Sequence, residues 1–373
     1  MAGPLQGVKV LDLTRVLSGP YASMVLADLG ADVVKIERPG RGDDTRSFGP
    51  PFADGVSTYF LSVNRGKRSV VLDLKHDEDK DLLRRLAAEA DVLLENFRPG
   101  VMERLGLGYD TLSAANPGLV YCAISGFGRE RPGPGYDLMV QGMSGIPSLT
   151  GAGDAPWKCG ASIADLVAGL NAAQGVLAAL FQRSRTGRGD LVDVSMLDGQ
   201  VSLLTYHASA WLNAGQQPKA RGNAHPSIHP FQSYRTADGW LNLAVGNDAL
   251  FVSLCGVLGV SWHTDPRFAT NASRVEHRPE LDELLAPAMT ERSTEAWLAA
   301  LGAAGVPCGS MRTVAEALDD VELVEHAHPQ GSGMVRSLRL PYAVGDAPRA
   351  ADRRAPRLGE HNAEVVADWL GAG

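Results

Sequence analysis

Along the first half of the chain, short apolar runs alternate with longer amphipathic segments. The runs at 8–13 (VKVLDL), 32–37 (DVVKIE), 69–74 (SVVLDL), 91–95 (DVLLE), 119–125 (LVYCAIS) and 191–195 (LVDVS) are short, rich in branched residues and bounded by turn formers, so they read as buried strands. Between them, 21–29 reads as a helix stopped by Gly30, and 78–90 as a charged amphipathic helix. Strand, helix, strand in this order predicts parallel pairing through right-handed crossovers, an α/β domain with a parallel sheet.

The pattern changes after residue 195. Residues 196–212 read as one long helix, and 216–230 (QQPKARGNAHPSIHP) as a polar, Pro- and Gly-rich linker. A hairpin is expected at 231–235 and 241–245 around Ala237-Asp238-Gly239, with helices at 249–258, 279–289 and 293–302. The chain then returns from about 311–318, and 359–370 reads as a terminal helix. The expected organisation is a large domain over 1–200, a helix and linker at 201–225, a small α+β domain at 226–310, and a return segment to the large domain at 311–373.

Composition narrows the function. The chain has 373 residues, 45% hydrophobic and 21% charged, enough for a sizeable core. A net charge of −8 argues against nucleic acid as the partner, although local cations can still hold an anionic ligand. Cys122, Cys159, Cys255 and Cys308 show no C-x-x-C spacing and read as free thiols of a reducing compartment. The N-terminus lacks the basic-then-apolar pattern of a signal peptide, so a cytoplasmic location is expected. The weakly polar run 166–181 is interrupted by Asn171 and Gln174 and is too short for a membrane span. No metal site is apparent: His326-Ala-His328 reads as a surface turn.

The segment 158–183 looks like one apolar helix with a single early carboxylate, Asp165. Ser162-Ile-Ala-Asp165 fits a capping box, which makes Asp165 a helix cap; the same place also suits an ionised nucleophile. Spacing alone leaves both open.

In open parallel sheets, ligands bind beyond the carboxyl ends of the strands. Those ends carry Arg15, Arg38, Lys75, then Asn96 and Arg98, with Arg104 close behind. The turn 14–20 has no G-x-G-x-x-G, so this cationic rim points to a phosphate-rich ligand other than a dinucleotide, and coenzyme A fits. A further basic cluster, Arg65, Lys67 and Arg68, reads as a solvated turn before a strand.

Taken together, VLDLTRVLSGPYA, GADVVKIERPGRGDDTR, NRGKRSVVLDLK, ADVLLENFRPG, GYDLMVQGMSG, GASIADLVAG, TGRGDLVDVSM and RGNAHPSIHPFQSYRTADG resemble the class III CoA-transferases, across essentially the whole chain. This CaiB/BaiF-like family includes formyl-CoA and carnitine CoA-transferases and the α-methylacyl-CoA racemases. The resemblance implies a Rossmann-like large domain completed by the C-terminal part, a smaller domain, and two chains interlocked as a homodimer. It implies CoA lying along Val16, Arg38, Leu72, Lys75, Asn96, Phe97, Arg98 and Arg104, with Arg15, Tyr136 and Asp137 at the same site. Asp165 falls on the family's nucleophile, which passes through an aspartyl anhydride and an aspartyl-CoA thioester while CoA moves from an acyl-CoA to a carboxylic acid.

Two other functions remain alternatives at this stage. A racemase needs an imidazole in a Gly-His-Asp segment, and this chain has Gly135-Tyr136-Asp137. A CoA-binding protein without chemistry would need Asp165 only as a cap. For the substrate, Leu17 and Phe48 replace the Gln and Trp of formyl-CoA transferase, and no glycine run stands near Gly246-Asn247-Asp248, which argues against an oxalate/formate pair. His225 and His229, with Asn223, either read the acyl part or brace the Pro-rich turn. Succinyl-CoA with a dicarboxylate is the expected pair.

Overall fold

The computed structural model describes residues 3–153 and 155–371. Six parallel strands form its main sheet: β1 (Lys9–Asp12), β2 (Asp32–Glu37), β3 (Lys67–Val71), β4 (Val92–Glu95), β5 (Val120–Ser125) and β6 (Leu191–Ser195). Their spatial order is β3-β2-β1-β4-β5-β6. Strand order therefore reverses between β1 and β4, which opens a crevice beyond their carboxyl ends.

Both faces of the sheet are covered, which is why the strands are apolar runs rather than strict alternations. Successive side chains still point to opposite faces. Val10, Val33 and Val92 pack under helices α1 (Ser18–Asp28) and α4 (Ile163–Thr186), while Leu11, Val34 and Leu93 meet α2 (Asp77–Glu89) and α5 (Asn362–Leu370). Asp77, Glu78 and Asp79 in the first turn of α2 complement its dipole. Between α2 and α4 lies the short helix α3 (Asp137–Met143). Helix α4 ends at Gly187, whose φ of 71° closes a left-handed cap.

The chain forms two compact units. The first comprises the residues up to Pro147, Lys158–Gln216 and the return from Glu322, so α5 packs in the same core as the N-terminal strands. The second comprises Ser148–Trp157 and Gln217–Val321, a wider span than 226–310. It is built on an antiparallel sheet of β7 (Phe231–Arg235), β8 (Trp240–Ala244) and β9 (Cys308–Ser310), with β8 central. Leu241, Phe251, Leu281 and Trp297 fill its core.

Three expectations are corrected. The long helix at 196–212 is two, Met196–Ser202 and Thr205–Ala214, because Thr205 has a φ of 37° and a residue in that region cannot continue a helix. The basic cluster is not a solvated turn: Arg65, Lys67 and Arg68 are 3%, 0% and 3% exposed and pair with Asp28, Asp12 and Asp32. His326 and His328 are buried rather than in a surface turn, each meeting a backbone carbonyl through Nε2, Ala351 and Ala53 respectively. In the last two cases polar spelling hid the burial, which partners inside the fold make possible.

Candidate active site

A cleft of about 210 Å³ opens beyond the carboxyl ends of β1 to β4. Arg15, Arg38, Leu72, Lys75 and Phe97 all line it, so residues from four separate strand ends meet there. The Arg15 guanidinium stands 5.2 Å over the Phe97 ring, a flat cationic and aromatic wall suited to stacking and anion binding. Arg15 lies 3.5 Å from Asp44, and Arg38 also pairs with that carboxylate, so an entering anion competes with Asp44 for both cations. Asn96 does not line the cleft. Its side chain donates to the Arg15 carbonyl at 2.7 Å and accepts from the Arg15 N–H at 2.9 Å. Arg98 and Arg104 are exposed, and neither is part of the cleft wall.

From Arg15 the chain turns into α1 through Val16, whose φ is 70°. A β-branched residue avoids this region, and holding it there costs on the order of 1–3 kcal/mol. Val16 and Leu17 then pack with Tyr59 and Leu166, next to Asp165. Helix α4 lies close to the start of α1: a Cβ on Gly169 would stand 2.6 Å from the Ser18 carbonyl oxygen. Only glycine permits that approach.

Asp165 sits half-buried in the first turn of α4. The capping-box reading fails, because Ser162 makes no side-chain cap bond. A tertiary cap replaces it: one oxygen of Asp137 accepts from the Ala164 N–H at 3.0 Å. The other Asp137 oxygen accepts from the Gln141 side-chain N–H at 2.8 Å, and Gln141 Oε1 accepts from the Cys159 N–H at 2.9 Å. Asp165 is thereby released from capping. Burial, then the neighbouring Asp137 charge, push its carboxyl up to about 7, against a hydrogen bond with the Ser18 side chain. Tyr59 is pushed up to about 12 by burial and by the charges of Asp165, Asp137 and Asp43, so it keeps its proton at neutral pH. Phe48 meets the Tyr59 ring edge-on at 5.6 Å, and Tyr136 is 67% exposed just before α3.

His225 and His229 belong to the second unit. His229 is fully buried with Nδ1 3.0 Å from Arg278, and Arg278 also donates to the His225 carbonyl. Burial, Arg278 and Arg274 push the His229 imidazole down to about 3, so it is neutral. The His225 ring rests on Phe231 at 5.4 Å. Among the described residues, no group of three or more His, Cys, Asp or Glu side chains is placed to hold a metal ion.

Sequence reasoning missed Ser18, Tyr59 and Gln141 around Asp165. Ser18 and Gln141 lie inside recognised segments, TRVLSGPYA and GYDLMVQGMSG, where a polar residue in an apolar context was the available signal. Nothing near Tyr59 in sequence marks it.

A parallel sheet with a cationic cleft at its reversal point, and a half-buried carboxylate at the start of α4 that takes no part in the cap, are what a CoA-type ligand and a nucleophile would need. The chain matches CoA-transferase family III over residues 5–362 and belongs to that family. It is 40% identical to succinate–glutarate CoA-transferase of Agrobacterium fabrum, covering 98% of this chain and 95% of that one. It is 44% identical to acetyl-CoA:oxalate CoA-transferase of Acetobacter aceti, over 84% and 82% of the two chains. The crystal structure of a CAIB/BAIF family protein from Brucella suis is 42% identical, with a TM-score of 0.87 over 99% of this chain and all of that one.

Proposed function

We propose that this CoA-transferase moves coenzyme A from succinyl-CoA to a free dicarboxylate, with Asp165 as the covalent carrier. The observation that carries the reading is that Asp137 takes over the cap of α4 and leaves Asp165 out of it, in the first turn of a helix that crosses close to Ser18. The two relatives are named for succinate with glutarate and for acetyl-CoA with oxalate, each with a dicarboxylate among its substrates.

The ionised Asp165 oxygen attacks the thioester carbonyl, the C–S bond breaks, and an aspartyl–succinyl anhydride forms with release of CoA thiolate. The thiolate attacks the aspartyl carbonyl and expels succinate, leaving an aspartyl-CoA thioester. A carboxylate of the acceptor attacks that thioester, forming a second anhydride and freeing the thiolate again. The thiolate then takes the acyl group and regenerates the Asp165 carboxylate. No net proton is transferred and no water is consumed, so the half-buried site supports transfer over hydrolysis. The uncapped start of α1 and the protonated Tyr59 supply positive potential for the oxyanions that develop at each attack. Arg15, Arg38 and Lys75 would hold the phosphates, with Phe97 and Leu72 against the adenosine.

The working state is a homodimer in this reading. Helix α4 runs beyond the 166–181 apolar stretch to 24 residues and is long and apolar enough to cross a membrane by length and composition only, yet 39% of its most apolar stretch is buried within the chain. Leu170 and Phe181 on it, and Trp211 and Leu212 on the helix Thr205–Ala214, are 42%, 65%, 54% and 77% exposed. Apolar exposure of that extent calls for a partner, and a second copy is the simplest.

The test is CoA exchange from succinyl-CoA to a panel including glutarate, oxalate and monocarboxylates, with Asp165→Ala beside the wild type. Exchange to dicarboxylates that disappears in the variant supports the reading. Exchange retained in the variant, or α-proton exchange with deuterated solvent without transfer, contradicts it.

A further inference from the structure

The segments VLDLT, DVVKIE, GRGDD and NRGKRS each contribute a charged residue that no step above uses: Asp12, Lys35, Asp43 and Lys67. The first, second and fourth are fully buried and Asp43 is 1% exposed. They form two ion pairs, Lys35–Asp43 at 2.8 Å and Lys67–Asp12 at 3.1 Å. Burying two ion pairs is a poor route to stability, because desolvation offsets much of the attraction.

What the four share is their target. Asp12 accepts from the Thr14 N–H at 2.9 Å, and Lys35 donates to the Thr14 carbonyl at 2.7 Å. Asp43 accepts from the Val16 N–H at 3.3 Å, and Lys67 donates to the Pro20 carbonyl at 3.0 Å. Asn96 binds both polar groups of Arg15. Every one of these bonds goes to the backbone of residues 14–20, the turn that holds Val16 at its positive φ, sends Arg15 into the cleft and presents Ser18 to Asp165.

We infer that this buried four-charge network is a positioning device, in which Lys35 and Asp43 fix the 14–20 turn so that a thioester held in the cleft faces Asp165. Both residues are buried at the floor of the cleft and neither touches the reacting atoms; each acts through Thr14 and Val16. The inference rests on the reading of Asp165 as nucleophile. A misplacement of about 1 Å at such a turn costs roughly 100-fold in rate while ligand affinity, set by the outer cations, changes little.

The experiment compares two charge-neutral double variants of the full-length enzyme. Lys35→Met with Asp43→Leu removes both charges and both bonds to the turn, and leaves no lone buried charge. Lys35→Met with Asp43→Asn keeps an acceptor for the Val16 N–H. The first is expected to lose about 100-fold in kcat with the Kd for free CoA within about threefold, and the second to regain about tenfold of that loss. If the first variant does not fold, the second still decides, with an expected kcat loss of about tenfold at unchanged CoA affinity. A wild-type kcat in either folded variant, a CoA affinity that falls in step with kcat, or equal losses in both variants would overturn the inference. Asp165→Ala in parallel separates the two ideas: exchange surviving there removes the nucleophile, whereas wild-type kcat in the double variants removes only the positioning device.

Discussion

At the scale of single residues, the proposed chemistry turns on two neighbouring aspartates, one of which caps a helix while the other does not. Asp137 is tied to the Ala164 N–H and to Gln141, while Asp165 is raised to about 7 by burial and by Asp137. In the proposed mechanism the ionised form attacks, so kcat/KM should rise with pH through an apparent pKa near 7 and level off above it. Asp137→Asn removes the charge that helps raise Asp165, so the midpoint of that rise should move to lower pH; a midpoint that stays or rises contradicts the assignment. The same shift bears on stability. A carboxyl raised in the folded state stabilises the fold while protonated, and that contribution is lost as pH rises from the usual carboxylate range through about 7. Asp165→Asn should therefore be more stable than the wild type at pH 8 by on the order of 1 kcal/mol after allowing for solvent screening, with the gain vanishing near pH 4. Thermal melts at the two pH values check this.

At the scale of elements, the close crossing of α4 over the start of α1 holds the carboxylate against the β1 turn. A side chain on Gly169 would collide with the Ser18 carbonyl, whose neighbours are packed. Gly169→Val should cost about 1–3 kcal/mol of stability and lower kcat well beyond what that loss explains. Denaturant melts and steady-state rates on the same preparation separate the two effects. The elements also show what could be read in advance. The six strands were legible as apolar runs, and Arg15, Arg38, Leu72, Lys75 and Phe97 fell together because strand ends in a parallel sheet converge. The cap of α4 was not legible. Ser162 has the local spacing for it, but the partner that won, Asp137, is distant in sequence, and local pattern carries no information about such pairs. The same holds for Lys67 and Arg68, which look solvated until Asp12 and Asp32 are brought against them.

At the scale of the whole molecule, the chain exposes apolar side chains on helix α4 and around Trp211 and Leu212, which is what the proposed homodimer would cover. Helix α4 and the segment around Trp211 and Leu212 are expected to be covered by a second copy. Sedimentation should give about twice the 39.5 kDa of one chain, and Leu212→Glu should shift the equilibrium toward the monomer. A wild-type monomer at micromolar concentration contradicts that reading. The central claim, however, is the covalent one, and it is tested most directly by mass spectrometry. The enzyme is mixed with succinyl-CoA without acceptor, quenched in acid within a second, digested, and the peptide carrying Asp165 examined. The account predicts a succinyl or CoA adduct on Asp165 that disappears when a dicarboxylate acceptor is added and is absent from Asp165→Ala. An unmodified Asp165 peptide from enzyme that is turning over, or an adduct on another residue, would contradict it.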